Sequence, residues 1–483
     1  MDGLIAYKGS LLAATMIVAG AWQGAPPPLF ADDEKQAVMR FWSDPARYTQ
    51  KLLPDAEKNG PFQVRLTVAG STWLREYNRV RGMNKVPPTT TAKPQNEEQK
   101  VWQDWIDAKI ERDRWLAMQV ADESNRRLTG QATKFDDKSL PKSEPPDPGS
   151  APDGLIALAG DPPRFAEPVV PMLHEVVFED GTKIAFADNR RMRKNYAYYR
   201  FEKGIASEGA NVKSLSEDRL KVLCDKAGIS DSELRVMKSV SILEGGFDAV
   251  NTYDTGFVSV GFIQFATLKD GGNSLGEMLR LYKDQDPGGF QTDFRKYGID
   301  VTPDAKLACL DPATGAELTG EAAVRKVIDD KRLIAVFEYD GLKSDPYDAI
   351  QLKAAKQQFY PADDNVAVAV NGQILSGKVS DVFKSEAGLA TLMDRKVNTG
   401  KLDPLQTTLE QFAAANQVTS LEELAKFEYD IVAAMQYRRD YLLDNGLTQP
   451  LSTVRSKALS SRGGDRSGRG GGGTGGHTGE PSP

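Results

Sequence analysis

The stretch 96–127, NEEQKVWQDWIDAKIERDRWLAMQVADESNRR, carries no Gly or Pro. It sets Val101, Trp102, Trp105, Ile106, Ile110, Trp115, Leu116 and Val120 at roughly helical spacing, which predicts a long helix. Most of 33–130 reads as helical around it, with a loop at Pro87-Pro88 and the following Thr run. Three tryptophans on one helix could stack on sugars, but aromatic stripes at this spacing more often pack against other helices. Further on, HEVVFEDGTKIAFAD (174–188) alternates apolar and polar residues on either side of Asp180-Gly181, the pattern of a β-hairpin. The next segment, NRRMRKNYAYYRFEKG (189–204), is basic and aromatic and reads as a solvated, Arg-rich helix start, with contact to a polyanion or a sugar as the alternative. Residues 205–450 carry the pattern of a main domain, predominantly helical with Gly-rich loops.

Low-complexity stretches divide the chain. SLPKSEPPDPGSAPDG lies within a Pro/Ser/Asp-rich span, 131–165, that reads as a linker because it cannot build a core of its own. Residues 451–483 form a tail, Gly-rich from 461 on, that is expected to be disordered. At the other end, LLAATMIVAGAW (11–22) is shorter than the roughly 20 apolar residues of a membrane span. It resembles the apolar core of a secretory signal, so 1–31 is read as a signal-like segment and the site of any transient membrane contact, with a buried element that begins the first domain as the alternative. The expected organisation is therefore 1–31, a helical region 32–130, the linker 131–165, a hairpin and basic-aromatic segment 166–204, the main domain 205–450 and the tail 451–483.

Composition narrows the chemistry. Of 483 residues 40% are hydrophobic, which suits a core accompanied by sizeable non-core segments. The net charge of −7 gives no global attraction to nucleic acid, which is not expected as a partner. Two histidines, His174 and His477, exclude a His-rich metal site, and neither a metal nor a cofactor is expected. Cys224 and Cys309 could form one bridge or remain two buried thiols. Catalysis then falls to carboxylates, amides, hydroxyls and Arg or Lys.

The segment SDSELRVMKSVSILEGGFDAVNTYDTGFVSVGFIQF (230–265) places one carboxyl in a telling position. Ser230 and Glu233 have capping-box spacing, and Leu234, Met237, Val240 and Ser241 follow one helical face. Glu244 falls next on that face, and Gly245-Gly246 ends the helix. Burial and the negative end of the helix dipole should both keep a carboxyl protonated there, as a general acid must be. A structural Glu in an ion pair or a loop cap is the alternative. Asn251, Thr252, Tyr253 and Asp254 add donors and acceptors within ten residues of the acid, and Gln264 can both donate and accept.

Glu244, Gly245, Phe247, Ala249, Ser259 and Gly261-Phe262-Ile263-Gln264 resemble the first motif of the lysozyme-like lytic transglycosylases and goose-type lysozymes. Gly245 stands where that motif usually has Ser, and the Glu-to-Gln interval is two residues longer. NTYDTGFVSVGFIQF is closest in character to a divergent bacterial, peptidoglycan-hydrolase-like branch. Asp394 and Asn398, four residues apart on one helical face, match an Asp and an Asn at a helix end in that branch. They could line the cleft, but a capping or ion-pair role, for instance with Arg395 or with Arg438-Arg439, is the favoured reading. MQYRRDYLLDNGL (435–447) reads as a buried helix end with a basic exposed side.

The resemblance implies a mainly α (α+β) fold: a lysozyme-like helical domain with a small β-hairpin element, preceded by a separate helical region. It implies cleavage of β-1,4 bonds in peptidoglycan in the periplasm or outside the cell, with Glu244 as the acid. Asn251, Tyr253, Ser259, Gln264, Asp394 and Asn398 would line the cleft. A hydrolase would need a second carboxylate, Asp254 first, in a wetter loop where it should stay ionised, and Asp248 second; a transglycosylase would not. The rival readings are a chitosanase-like glycosidase and a non-catalytic cell-wall-binding or secretion-apparatus protein. The oligomeric state is not indicated.

Overall fold

The computed structural model describes residues 28–81, 94–133, 135, 138, 140–210 and 212–451. The Pro87-Pro88 loop, His477, the Gly-rich tail and nearly all of the signal-like segment lie outside them. Helix outweighs strand, about 49% to 13%, and the strands form small separate sheets, so the class is α+β. Among the described residues no helix is long and apolar enough to cross a membrane.

One lobe is organised by the long helix Glu97–Thr129. The Asn96 side chain accepts from the Gln99 amide at its start, and Gly130 closes it in the left-handed conformation. Trp102, Ile106 and Ile110, at i, i+4, i+8, pack with Trp73, Tyr77, Leu155 and Phe165. Trp105 and Trp115 are half-buried, and Val101 and Val120 are exposed. Helix Val68–Val80 and the two-stranded ribbon Gln63–Leu66 with Ala166–Val169 complete the lobe.

Much of the Pro-rich span 131–165 is docked onto this lobe. Helix Asp153–Ala159 buries Leu155 completely. The Trp105 indole donates to the Gly149 carbonyl at 3.3 Å, and Arg112 donates to the Pro145 carbonyl at 2.9 Å. A Pro-rich chain cannot build its own core, but a rigid one can lie along a face that a Trp-bearing helix already provides. The expected result of limited proteolysis is therefore protection of the bonds between 141 and 165 until the lobe unfolds. Early cleavage there, read by mass spectrometry, would contradict the docking.

The second body holds the larger core, and it recruits residues well before 205. In helix Asp32–Ser43, Val38 and Trp42 share one buried face. The Trp42 indole donates to the Tyr297 carbonyl at 2.9 Å. Strand Tyr48–Leu52 pairs antiparallel with Met172–Val177, which pairs with Lys183–Ala187 in the hairpin expected at 174–188. The region expected to be one helical unit, 32–130, is thus shared between two cores and contains strands. Its first amphipathic helix buries its apolar face against the main body rather than against the long helix.

The main body is a cluster of helices around Lys331–Lys343 and Asp345–Phe359, with helices Glu217–Ala227, Asp231–Ser241 and Glu386–Thr399 beside them. A four-stranded antiparallel sheet of very short strands follows the chain order Ala206–Ser207, Val250–Asn251, Ser259–Val260, Phe265–Ala266. Cys224 and Cys309 are both buried free thiols. Burial pushes them up to about 11 and about 12, so both are inert at neutral pH.

Candidate active site

The acid-bearing helix forms as its sequence dictates. Ser230 and Glu233 make the reciprocal capping box, and Leu234, Met237 and Val240 are buried. The regular helix ends at Ser241. The chain then tightens: the Leu243 amide reaches the Val240 carbonyl at 3.2 Å, and the Glu244 amide reaches Ser241 at 2.9 Å. Glu244 therefore sits one turn beyond the helix proper. Gly245, at φ +143°, and Gly246 let this turn press against the backbone of 208–210. The Gly246 amide donates to the Glu208 carbonyl at 2.9 Å, and a Cβ on Gly246 would lie 1.8 Å from the Ala210 carbonyl oxygen.

Glu244 opens onto a cleft of about 980 Å³. Asn251, Tyr253, Asp254, Ser259, Gln264 and Asn398 line the same cleft. The short sheet accounts for this. Asn251 pairs with Ser259 across adjacent strands, and Gln264 lies in the tight turn before Phe265 at φ +57°. Gly261 must be glycine: its φ is +80°, and a Cβ would lie 2.1 Å from Gln351 Oε1. Buried Gln351 holds both sides of that loop, accepting from the Phe262 amide at 3.2 Å and donating to the Phe247 carbonyl at 2.9 Å.

Only 12% of the Glu244 side chain reaches solvent. Its carboxylate meets the Arg438 guanidinium in a very short contact, and Asn398 Nδ2 lies 3.4 Å from Oε1. Burial raises its pKa above the ordinary carboxylate value, Arg438 pulls it down, and nearby Asp394 pushes it up, with a net rise. Arg438 is shared. Its Nε lies 3.0 Å and its terminal nitrogen 2.5 Å from Asp394 Oδ1.

Asp394 itself is fully buried, does not line the cleft and pairs with Arg438, so the ion-pair reading holds and its place among the substrate-binding groups is corrected. Helix Glu386–Thr399 turns it inward, where it holds Arg438 from behind. Asn398, one turn later, is at the surface of the cleft and donates to the Asp394 carbonyl at 2.8 Å. The stretch MQYRRD leaves the helix at Met435, and its Arg438, still exposed on one side, reaches Glu244 and Asp394. Arg439 pairs with Asp444 at 2.9 Å.

Two further expectations change. Asp248 is buried, accepts from the Ala210 amide at 2.8 Å and lies outside the cleft lining, so it is not a second catalytic carboxylate. Asp254 lines the cleft but is not in a wet loop. Burial raises its pKa, while the Gly256 amide at 2.9 Å and the Asn251 amide at 2.8 Å bind one oxygen each. His174 is far from free chemistry: it is buried between the Tyr48 hydroxyl, 2.8 Å from Nδ1, and Asp188, 3.0 Å from Nε2.

The cleft also contains groups that the Glu244 motif does not include: Arg190, Tyr196 and Tyr198 from the basic-aromatic segment, and Tyr437 and Arg438. That segment is not a helix. Asn189 takes φ +50°, and Met192, Ala197 and Tyr199 turn into the first lobe. Buried Arg65 anchors it through the Glu202 carbonyl at 2.7 Å and Asn189 Oδ1 at 2.8 Å. The Arg200 amide then donates to the Tyr253 carbonyl at 2.8 Å, which fastens the first lobe to the cleft loop. The density of Tyr and Arg over 189–200 was the signal for this wall. Among the described residues, no group of three or more His, Cys, Asp or Glu side chains could hold a metal ion. No family model, curated protein or solved structure matches the chain.

Proposed function

We propose that the chain cleaves β-1,4 glycosidic bonds of peptidoglycan at the cell envelope, with Glu244 as general acid and then general base. The observation that carries this reading is the state of Glu244: an inward carboxyl with a raised pKa, opening onto a cleft lined by hydroxyls, amides and tyrosines. A protonated Glu244 gives its proton to the glycosidic oxygen as the C1–O bond breaks, and the leaving sugar departs as an alcohol. The resulting carboxylate is then stabilised by Arg438, whose charge Asp394 has already partly drawn away. Sharing Arg438 in this way supports both protonation states that the reaction needs.

The second step favours transglycosylase over hydrolase chemistry. Asp248 is outside the cleft, and each Asp254 oxygen already accepts a hydrogen bond from the chain, Oδ2 from the Asn251 side-chain amide and Oδ1 from the Gly256 amide, which ties the carboxylate to its own loop. With one acid in play, Glu244 takes the proton of the sugar's own 6-hydroxyl as that oxygen attacks C1, which closes an anhydro ring. Digestion of purified peptidoglycan should release anhydro-ended fragments, read by mass spectrometry. Products with reducing ends throughout would mean that water attacks instead. No cleavage under any condition would sink the enzymatic reading.

A further inference from the structure

Arg190 is exposed on the cleft wall, and its guanidinium carbon lies 5.8 Å from the centre of the Tyr253 ring. Among the described residues no carboxylate pairs with it. Two other arginines of this region, Arg438 and Arg200, are spent on the protein itself. Arg438 is held by Glu244 and Asp394, and Arg200 donates to the Tyr199 carbonyl at 2.7 Å and the Ala197 carbonyl at 3.0 Å. Arg190 thus brings a positive charge to the cleft with its donors unclaimed. A ring stacked beneath a guanidinium restricts it without using its N–H groups, which leaves the planar fork ready for a bidentate acceptor.

The surroundings favour one kind of acceptor. Tyr196 lies 6.0 Å from Tyr253, centre to centre, with the rings tilted by 54°, and Tyr198 lies 6.0 Å from Tyr196. Such a run of half-buried rings offers apolar faces to a pyranose ring. Glu208 and Asp254 border the same cleft, and both Asp254 oxygens are engaged by Asn251 and Gly256. Glu208 is beside the Gly246 turn, and Arg190 is beside Tyr253. We propose that Arg190, backed by Tyr253 and flanked by Tyr196, is a subsite for a carboxylate-bearing substituent of the glycan, such as the lactyl-linked acids of peptidoglycan. This rests on the reading of Glu244 as a glycan-cleaving acid. It adds that the wall outside the main domain selects anionic over uncharged glycans.

The test compares full-length wild type, Arg190→Gln and Arg190→Lys on peptidoglycan strands and on chitin oligomers, which lack the carboxylate. The ratio of kcat/KM values, anionic over uncharged, should fall about tenfold in Arg190→Gln, the scale of one lost charge-assisted hydrogen-bond pair. The fall should come through KM rather than kcat. Arg190→Lys should restore part of it, since it keeps the charge and loses the fork. An unchanged ratio in Arg190→Gln, with wild type active, would overturn the subsite and leave the role of Glu244 standing. If wild type cleaves neither polymer, the glycosidase reading fails on its own, and binding decides the subsite. Calorimetry with a muropeptide carrying free carboxylates should then show about tenfold weaker binding to Arg190→Gln. Equal binding would overturn the proposal.

Discussion

Glu244→Gln should lower cleavage of peptidoglycan by about 10²–10⁴-fold, the usual loss when a general acid–base group is removed. Gln has nearly the same volume and can still accept from Arg438, so the turn at Gly245-Gly246 should keep its shape. What it lacks is a proton that can leave and return. The loss should therefore appear in kcat, with KM little changed. In the wild type, the alkaline limb of the rate profile should lie above the ordinary carboxylate range, because burial raises the Glu244 pKa. That limb should vanish in the variant, since any residual rate has no carboxyl to titrate. Activity within a few-fold of wild type, or a wild-type rate that stays flat from mildly acidic to alkaline pH, would remove Glu244 from the chemistry. An intact unfolding profile for the variant would rule out misfolding as the cause of any loss.

Glu244 and its loop were legible in the sequence because they are local. A capping box, one apolar face and two glycines fix the helix Asp231–Ser241 and the turn after it, and the residues that follow within twenty positions return to the same cleft. The hairpin at 174–188 was legible for the same reason, its register being set by alternation around Asp180-Gly181. Arg438 was harder. It lies 194 residues from Glu244, and nothing in MQYRRD says which of two adjacent arginines reaches that carboxylate. The choice is made by helix Glu386–Thr399, which places Asp394 within reach of Arg438. Asp254 misled in the other direction. A polar loop sequence suggests solvent, yet Tyr253 and the first lobe close over that loop. The Pro-rich span misled because low complexity shows only that a segment lacks its own core, not whether a neighbour supplies one.

Arg438→Gln should have two separable effects, one on stability and one on the pH profile. The wild-type cation lies between Glu244 and the fully buried Asp394, so its removal leaves two carboxylates without their shared partner. Breaking a buried ion pair from one side costs about 3–5 kcal/mol; because 28% of the Arg438 side chain is open to solvent, about 3 kcal/mol is expected near neutral pH. The sign of the pH dependence follows from Glu244. Its folded-state pKa is already raised, so the folded chain holds that proton more tightly than the unfolded chain does. Stability from this group is then present below the ordinary carboxylate value and falls as pH climbs through the raised one. Arg438 lowers the Glu244 pKa, so its loss widens that window and deepens the fall. Chemical denaturation should therefore show a smaller gap between variant and wild type at about pH 4 than at about pH 8. The alkaline limb of activity should move up in pH for the same reason, while the maximal rate drops because the carboxylate left after proton transfer has lost its cation. A gap that does not change with pH, or an alkaline limb that moves down, would mean that Arg438 braces the loop after Met435 without governing the proton on Glu244.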